Sequence, residues 1–111
     1  MTLSSYRPGD LVLIAFPFTD GVGEKRRPAL ILLDTGDPDV IVSRVTSQSY
    51  STPFDIALEN WEGANLLRPS TVRLHKLATL DKTLVSRQLG QLSADDWGRV
   101  VESLQRLWAF S

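Results

Sequence analysis

The sequence predicts a small, mainly β domain that ends in a single helix. Three observations support this fold class: short apolar or alternating runs of strand length, turn-forming residues between them, and one C-terminal apolar stripe at helical spacing. The chain has 111 residues, of which 42% are hydrophobic and 23% are charged. This length and composition are typical of one folded domain. We therefore expect a single domain over residues 1–111.

The first three predicted strands follow one another closely. The apolar run Leu11–Phe16 is separated from a second run, Ala29–Leu33, by a loop predicted from Pro17 to Lys25. The segment Asp34–Asp39 has the Asp, Gly and Pro content of a turn, and Val40–Val45 follows it as a third strand. The second and third strands are therefore expected to form an antiparallel hairpin.

Three further strands are predicted in the second half of the chain. Pro53–Leu58 and Ser70–His75 alternate apolar with polar or small residues, as a half-buried strand does. Glu59–Ala64, between them, is interpreted as a turn or a short helix. Val85–Leu92 is expected to be the last strand.

The C-terminal segment carries the signals of an amphipathic helix. Ser93 is a good N-cap, and Asp96 three residues later resembles a capping box. Apolar residues then recur on one face: Trp97, Val100, Val101, Leu104, Leu107 and Trp108. Five to six short strands followed by one helix predict an SH3-like barrel or a curled sheet with the helix packed on it.

Composition excludes several kinds of chemistry. The chain has no cysteine and one histidine, so disulfides, thiolate nucleophiles and cysteine-based zinc sites are excluded. No His, Asp and Glu residues cluster at the spacing of metal ligands, and we expect no metal and no cofactor. The N-terminus lacks the apolar core of a signal peptide, and no apolar stretch is long enough to span a membrane. A cytoplasmic protein without a membrane partner is therefore expected.

Charge is close to balanced, at a net −1 with a pI of about 5.7. This counts against a broad basic surface for polyanions but permits a local basic site. The candidate is the pair Arg26–Arg27, which precedes Pro28 and the second strand. Arginine pairs beside strands are more often solvated edges than binding sites, so the tripeptide alone does not decide between the two.

Hairpin geometry gives Arg27 a partner. If the turn is centred between Gly36 and Asp37, Arg27 and Thr46 lie equally far from it and face each other at the open end of the hairpin. Ser47 and Gln48 follow Thr46 directly. A guanidinium opposite hydroxyls and an amide can bind and polarise a phosphodiester, although strand-end hydroxyls that cap a turn would give the same pattern.

Five short segments of the chain follow one another in a recognisable order: Gly9–Val12, Phe16–Thr19, Arg27–Leu32, Val45–Ser49 and Pro53–Phe54. The strongest parts are the Arg-Pro start of the second strand and a Thr-Ser-Gln segment at its spacing to a Pro-Phe pair. Together and in this order, the segments resemble the MazF/PemK toxins of type II toxin–antitoxin systems.

The resemblance implies an SH3-like barrel that forms a homodimer and is neutralised by a cognate antitoxin. It also implies a metal-independent endoribonuclease that cleaves single-stranded mRNA to a 2′,3′-cyclic phosphate and a 5′-hydroxyl. The family's catalytic arginine and threonine fall on Arg27 and Thr46. Arg27 would stabilise the transition state, and Thr46 would orient the phosphate.

Other residues are assigned to substrate binding. Ser47 and Gln48 belong to the matching segment, and Arg26 either adds a phosphate contact or faces solvent. Phe18 is the aromatic side chain best placed to stack on a base. Glu24, only three residues before Arg27, is either a residue that contacts RNA or transfers protons, or a solvated loop acid.

Two other function classes remain open. One is a non-catalytic toxin that binds a protein target, as the gyrase poisons of the same fold do. The other is an SH3-like module that binds RNA or protein without cleaving it. Neither requires Arg27 and Thr46 to act together, so substitution of these two residues discriminates between the classes.

Overall fold

The computed structural model describes residues 5–17 and 24–109, which form six strands and one α-helix. The strands are β1 (Asp10–Pro17), β2 (Glu24–Leu33), β3 (Asp39–Thr46), β4 (Asp55–Ala57), β5 (Thr71–Asp81) and β6 (Val85–Gln91). Helix α1 spans Ala94–Ala109, and one 3-10 turn, Lys82–Leu84, links β5 to β6. No helix within the described residues is long and apolar enough to cross a membrane. The predicted fold class is confirmed.

All six strands belong to one antiparallel sheet, in the order β4-β5-β3-β2-β1-β6. Among the described residues, no strand ladder joins the two edges, β4 and β6, so hydrogen bonding between strands does not close a barrel. The segment after β4 bridges the gap instead. The side-chain amide of Asn65 donates to the carbonyl of Leu89 in β6 at 2.9 Å.

Side chains on the two faces of the sheet enter two apolar clusters. Leu11 and Leu30 pack in one cluster with Val100 of α1, whereas Val12 and Ile31 belong to the other. This division follows from strand geometry, because successive side chains point to opposite faces. Strands β1 and β2 therefore contribute side chains to both clusters, and they lie inside the sheet between β3 and β6, next to the predicted site.

Ser93 caps the start of α1 as predicted, but the prediction of a capping box between Ser93 and Asp96 is wrong. Ser93 Oγ accepts a hydrogen bond from the Asp96 amide at 3.1 Å. The Asp96 carboxylate, however, accepts from the amides of Glu59 and Asn60 at 3.1 and 3.0 Å and pairs with Arg99. A capping box normally uses the longer Glu or Gln side chain to reach back to the cap. Asp96 therefore fastens the turn after β4 to the helix.

Strand β2 begins earlier than the sequence predicted. Its ladder with β1 already starts at Glu24, which pairs with Pro17, so Arg26 and Arg27 lie inside the strand rather than just before it. The ladder with β3, in contrast, starts only at Ala29. The offset suits Pro28, the residue just before it, which has no N–H to donate. One edge of β2 is thus left unpaired beside the two arginines.

Strand β5 is longer than predicted because a bulge interrupts its alternation. Arg44 of β3 pairs with Arg73, whereas the preceding residue, Ser43, pairs with Leu77. The residues between Arg73 and Leu77 therefore bulge out of the ladder, and the period of two is lost there. The sequence pattern stops at His75, although the strand continues to Asp81.

Gly90 and Gly98 give a matched test of the packing between β6 and the turn after β4. A Cβ at Gly90 would lie 2.6 Å from the Ala64 carbonyl oxygen, whereas a Cβ at Gly98 in α1 would meet nothing within 4 Å. We expect Gly90→Ala to lower the free energy of unfolding by about 1–3 kcal/mol, as overpacking does. Gly98→Ala should raise it by about 0.5–1 kcal/mol, because alanine favours the helix. Urea unfolding measures the free energy of unfolding of both variants. The same change for both would contradict the close approach of Gly90 to the Ala64 carbonyl.

Candidate active site

The β2–β3 hairpin has the register predicted from its turn, except for a one-residue shift after Ile31 on the side of the turn. Ala29 pairs with Arg44, and Ile31 with Val42. Continued by two residues beyond the last pair, this register places Arg27 of β2 opposite Thr46 at the end of β3. Both residues line one groove of about 560 Å³. Their juxtaposition follows from local pairing around a short turn, and the pairing to β1 and β5 on either side holds it in place.

Five arginines line this groove. They come from β2, β3, the segment after β4, and β6: Arg26, Arg27, Arg44, Arg68 and Arg87. No acidic residue lines the groove within the described part of the chain. Three ion pairs are found in the described part of the chain, and they engage Arg73, Lys82 and Arg99. None of the five groove arginines takes part in them. The groove therefore concentrates positive charge on a chain whose net charge is −1.

Thr46 is buried, with 8% of its surface exposed. Its Oγ1 accepts a hydrogen bond from the Gln48 amide at 3.1 Å. A threonine hydroxyl has one proton to donate, and with an N–H directed at its oxygen that proton must find a separate acceptor. None is found among the described residues, so Thr46 can donate to a ligand oxygen in the groove.

The predicted binding residues Ser47 and Gln48 are exposed and line the same groove. The Gln48 side-chain oxygen accepts a hydrogen bond from the Tyr50 hydroxyl at 3.0 Å. Arg26 is exposed and also lines the groove, so the structure brings it together with Arg27, Thr46, Ser47 and Gln48. Five of the seven site residues predicted from the sequence thus meet in one place.

The other two predicted residues are not described in the same way. Phe18 lies outside the described residues. Glu24 begins β2, but its side chain lies outside the described part of the structure. Neither prediction is therefore tested by the groove.

Arg44, Arg68 and Arg87 are groove residues that the sequence analysis did not assign to the site. Arg87 enters because β6 pairs with β1, where it lies opposite Leu13. Arg68 enters because the segment after β4 folds back over the same opening. The only sequence signal for Arg44 was its place two residues before Thr46 on the same strand. Contacts between segments that are distant in the chain cannot be predicted from the local sequence pattern.

A buried ion pair lies behind the Thr46 segment. Arg73 Nε is 2.9 Å from Asp55 Oδ1, and the two side chains are 11% and 0% exposed. Burial raises the pKa of Asp55, but hydrogen bonds from Arg73 and Thr52 lower it by a larger amount. The resulting pKa is about 2. Asp55 is therefore ionised at neutral pH, and the pair with Arg73 is permanent there.

The single histidine, His75, lies outside the groove. The His75 ring is half-buried and lies 6.2 Å, centroid to centroid, from the ring of Phe54. The described residues contain no group of three or more His, Cys, Asp or Glu side chains that could hold a metal ion.

The family model that describes the PemK-like, MazF-like toxins of type II toxin–antitoxin systems matches residues 7–108. The chain belongs to this family. The match spans all six strands and nearly the whole of α1. It includes both the Arg27 and the Thr46 segments. A search of curated proteins by sequence gives no match to this chain.

Solved structures of this toxin family share the fold. An endoribonuclease in complex with its cognate antitoxin from a mycobacterial species superposes with a TM-score of 0.76 at 18% identity, over 96% of this chain and 98% of that one. The Mycobacterium tuberculosis toxin MazF-mt6 gives 0.74 at 20% identity, over 92% and 98%. A MazE–MazF structure from Deinococcus radiodurans gives 0.73 at 28% identity, over 94% and 96%. The PemK/MazF-like toxin described here therefore has the family's fold over nearly its full length.

Proposed function

We propose that this toxin is a metal-independent endoribonuclease that cleaves single-stranded mRNA. The observation that carries the proposal is the groove that Arg27 and Thr46 line together with four further arginines, and that no acidic residue of the described part of the chain lines. Guanidinium groups bind phosphate with their planar fork and are positively charged at neutral pH. Family membership and structural similarity to an endoribonuclease support the same reaction class.

The proposed reaction uses the nucleophile carried by the RNA itself. The 2′-oxygen forms a bond to the adjacent phosphorus while the bond to the 5′-oxygen breaks, and the proton lost by the 2′-hydroxyl is balanced by one gained at the leaving oxygen. A 2′,3′-cyclic phosphate and a 5′-hydroxyl result. Arg27 stabilises the charge that develops on the phosphorane and takes part in proton transfer. Thr46 donates to a non-bridging oxygen and fixes the phosphate.

The remaining predicted groove residues bind RNA on either side of the scissile phosphate. Ser47 and Gln48 supply exposed hydrogen-bonding groups, and Arg26 supplies a second guanidinium next to Arg27. Single-stranded RNA fits this arrangement because its phosphates can follow a narrow charged groove while its bases remain free to stack or hydrogen-bond. Phe18 and Glu24 remain candidates for base stacking and for RNA contact or proton transfer.

Partners and assembly form part of the proposal. Two similar proteins were crystallised with an antitoxin, one described as its cognate antitoxin and the other as MazE, which supports a cognate antitoxin for this chain. We also propose that the protein forms a homodimer and acts in the cytoplasm. Size-exclusion chromatography with light scattering tests the dimer, and a monomer at micromolar concentration would contradict it.

The products of cleavage test the proposed chemistry. The purified chain is incubated with mixed-sequence RNA in EDTA, and the product termini are identified by mass spectrometry. We expect cleavage with 2′,3′-cyclic phosphate and 5′-hydroxyl ends. A 3′-hydroxyl product or a requirement for added Mg²⁺ would refute the mechanism. Intact RNA that remains bound would favour a non-catalytic binding module, and the absence of both binding and cleavage would favour a toxin with a protein target.

The charge of the groove predicts a steep salt dependence of RNA binding. If all five arginines neutralise phosphates, log K should fall against log salt concentration with a slope of about −3.5, at ~0.7 per phosphate for single strands. Arg87→Gln should make the slope shallower by about 0.7, and Arg7→Gln, outside the groove, should leave it unchanged. Fluorescence anisotropy of labelled RNA from 50 to 300 mM salt gives the slope. An unchanged slope for Arg87→Gln would remove Arg87 from the RNA-binding surface.

A further inference from the structure

A continuous chain of contacts runs from the buried ion pair to the Thr46 hydroxyl. It begins at Asp55 on β4, whose carboxylate accepts from Arg73 Nε at 2.9 Å and from the amide and hydroxyl of Thr52 at 2.9 and 2.7 Å. These bonds hold the Asp55 carboxylate from two sides. Arg73 on β5 is thereby fixed at a defined position and angle.

The guanidinium of Arg73 stacks on the face of the Tyr50 ring and holds this side chain in place. The Arg73 Cζ atom lies 3.6 Å from the centroid of the Tyr50 ring, within the range of a cation–π contact. The Tyr50 hydroxyl then donates to the Gln48 side-chain oxygen at 3.0 Å, and the backbone N–H of Gln48 donates to Thr46 Oγ1 at 3.1 Å. The contacts therefore link Arg73 to Thr46 through Tyr50 and Gln48.

Stability alone does not account for this arrangement. Tyr50 is 37% exposed, and neither it nor Gln48 belongs to the apolar clusters. A buried ion pair is itself weak evidence for stability, because desolvation offsets most of the attraction. What the contacts do determine is the conformation of residues 46–50, which follow the last strand pair and carry the proposed phosphate-binding groups.

We propose that Arg73 and Tyr50 are positioning residues, which hold Gln48 so that its amide orients the Thr46 hydroxyl toward the groove. This inference rests on the proposed function of the groove and adds residues that do not line it. Neither Arg73 nor Tyr50 lines the groove that is proposed to bind RNA. They act on the reaction through the geometry of Thr46.

Two conservative substitutions test this role. Tyr50→Phe keeps the ring over Arg73 but removes the hydroxyl that holds Gln48, and Arg73→Lys keeps a charge but loses the planar group that stacks on Tyr50. We expect each to lower kcat about five- to tenfold, the usual effect of one hydrogen bond, with KM changed less than twofold. Tyr6→Phe and Arg99→Lys are matched controls outside the contact chain and should leave kcat within twofold of the wild type.

A double-mutant cycle separates positioning from a general loss of structure. In a Thr46→Ala background there is no hydroxyl to orient, so Tyr50→Phe should have no further effect on kcat. A fall of the same size in both backgrounds would show that Tyr50 acts independently of Thr46. An unchanged kcat for Tyr50→Phe in the wild-type background would also overturn the proposal.

A second measurement does not depend on cleavage. Amide hydrogen exchange of Gln48, followed by NMR in the free protein, reports the bond from its N–H to Thr46. We expect Tyr50→Phe and Arg73→Lys to accelerate this exchange several-fold, and the two controls to leave it unchanged. If the wild-type chain fails to cleave RNA, accelerated exchange still supports the positioning of Thr46. Unchanged exchange overturns it whether or not cleavage occurs.

Discussion

Arg27→Ala is expected to reduce cleavage of RNA on the order of 10³-fold or more, the largest effect of any single substitution in this protein. The residue is proposed to stabilise the phosphorane and to assist proton transfer. Loss of one charge-stabilising group typically costs ~10²–10³ in rate, and loss of a proton-transfer group ~10²–10⁴. The effect should fall on kcat, because the other groove arginines continue to bind the RNA.

Controls for Arg27 separate chemistry from charge and from folding. Arg27→Lys keeps the positive charge without the planar fork, so it should recover only part of the lost activity. Arg7→Ala removes an exposed arginine outside the groove and should change cleavage less than twofold. Single-turnover kinetics with labelled RNA measures all three variants. Cleavage by Arg27→Ala within tenfold of the wild type would exclude Arg27 from the catalytic step.

Thr46→Ala is expected to lower kcat about 100-fold, because the phosphate loses the hydroxyl that fixes it in line with the attacking 2′-oxygen. Misplacement of reacting groups by about an ångström is enough for an effect of this size. Thr46→Ser keeps the hydroxyl and should stay within about tenfold of the wild type. The single-turnover assay compares these variants at saturating protein.

Thr71 provides a control of matched chemistry for Thr46. It lies opposite Thr46 on β5, is equally buried at 8% exposure, and does not line the groove. Thr71→Ala removes the same atoms from the neighbouring strand and should change kcat less than about threefold. If Thr71→Ala and Thr46→Ala lower activity equally, the loss reflects packing of the strand ends, and Thr46 has no role of its own.

The centre of the site could be predicted from the sequence because local structure determines it. The pairs from Ala29 to Ile31 have the register counted from the turn, and its continuation places Arg27 opposite Thr46, although a one-residue shift lies between these pairs and the turn. The helix was equally accessible, since Ser93 and the apolar stripe after it mark its start and its buried face.

The rim of the site could not be predicted, because it depends on pairing between distant segments. Arg87 reaches the groove only because β6 pairs with β1, more than seventy residues earlier. Arg68 lies on an irregular segment whose path is fixed by Asn65, a residue at φ 64° in the left-handed region, and by its bond to β6. Neither contact leaves a periodic signal in the sequence.

Two errors in strand boundaries have the same kind of cause. The predicted loop before Arg27 is partly strand, because β1 pairs with β2 from Glu24 onward and overrides the turn-like composition. The predicted end of β5 at His75 reflects a bulge, at which the alternation of buried and exposed residues shifts while the strand continues. Tertiary pairing decided both boundaries.

The groove is proposed to cleave RNA through the RNA's own 2′-hydroxyl. To test this, the wild-type chain is incubated in EDTA with a single-stranded RNA that it cleaves and with a fully 2′-O-methylated copy of the same sequence. We expect cleavage of the RNA at a defined position and no detectable cleavage of the methylated copy, even where the copy binds with similar affinity. Cleavage of the methylated copy would show that water or a protein group attacks the phosphorus, and it would rule out attack by the 2′-hydroxyl.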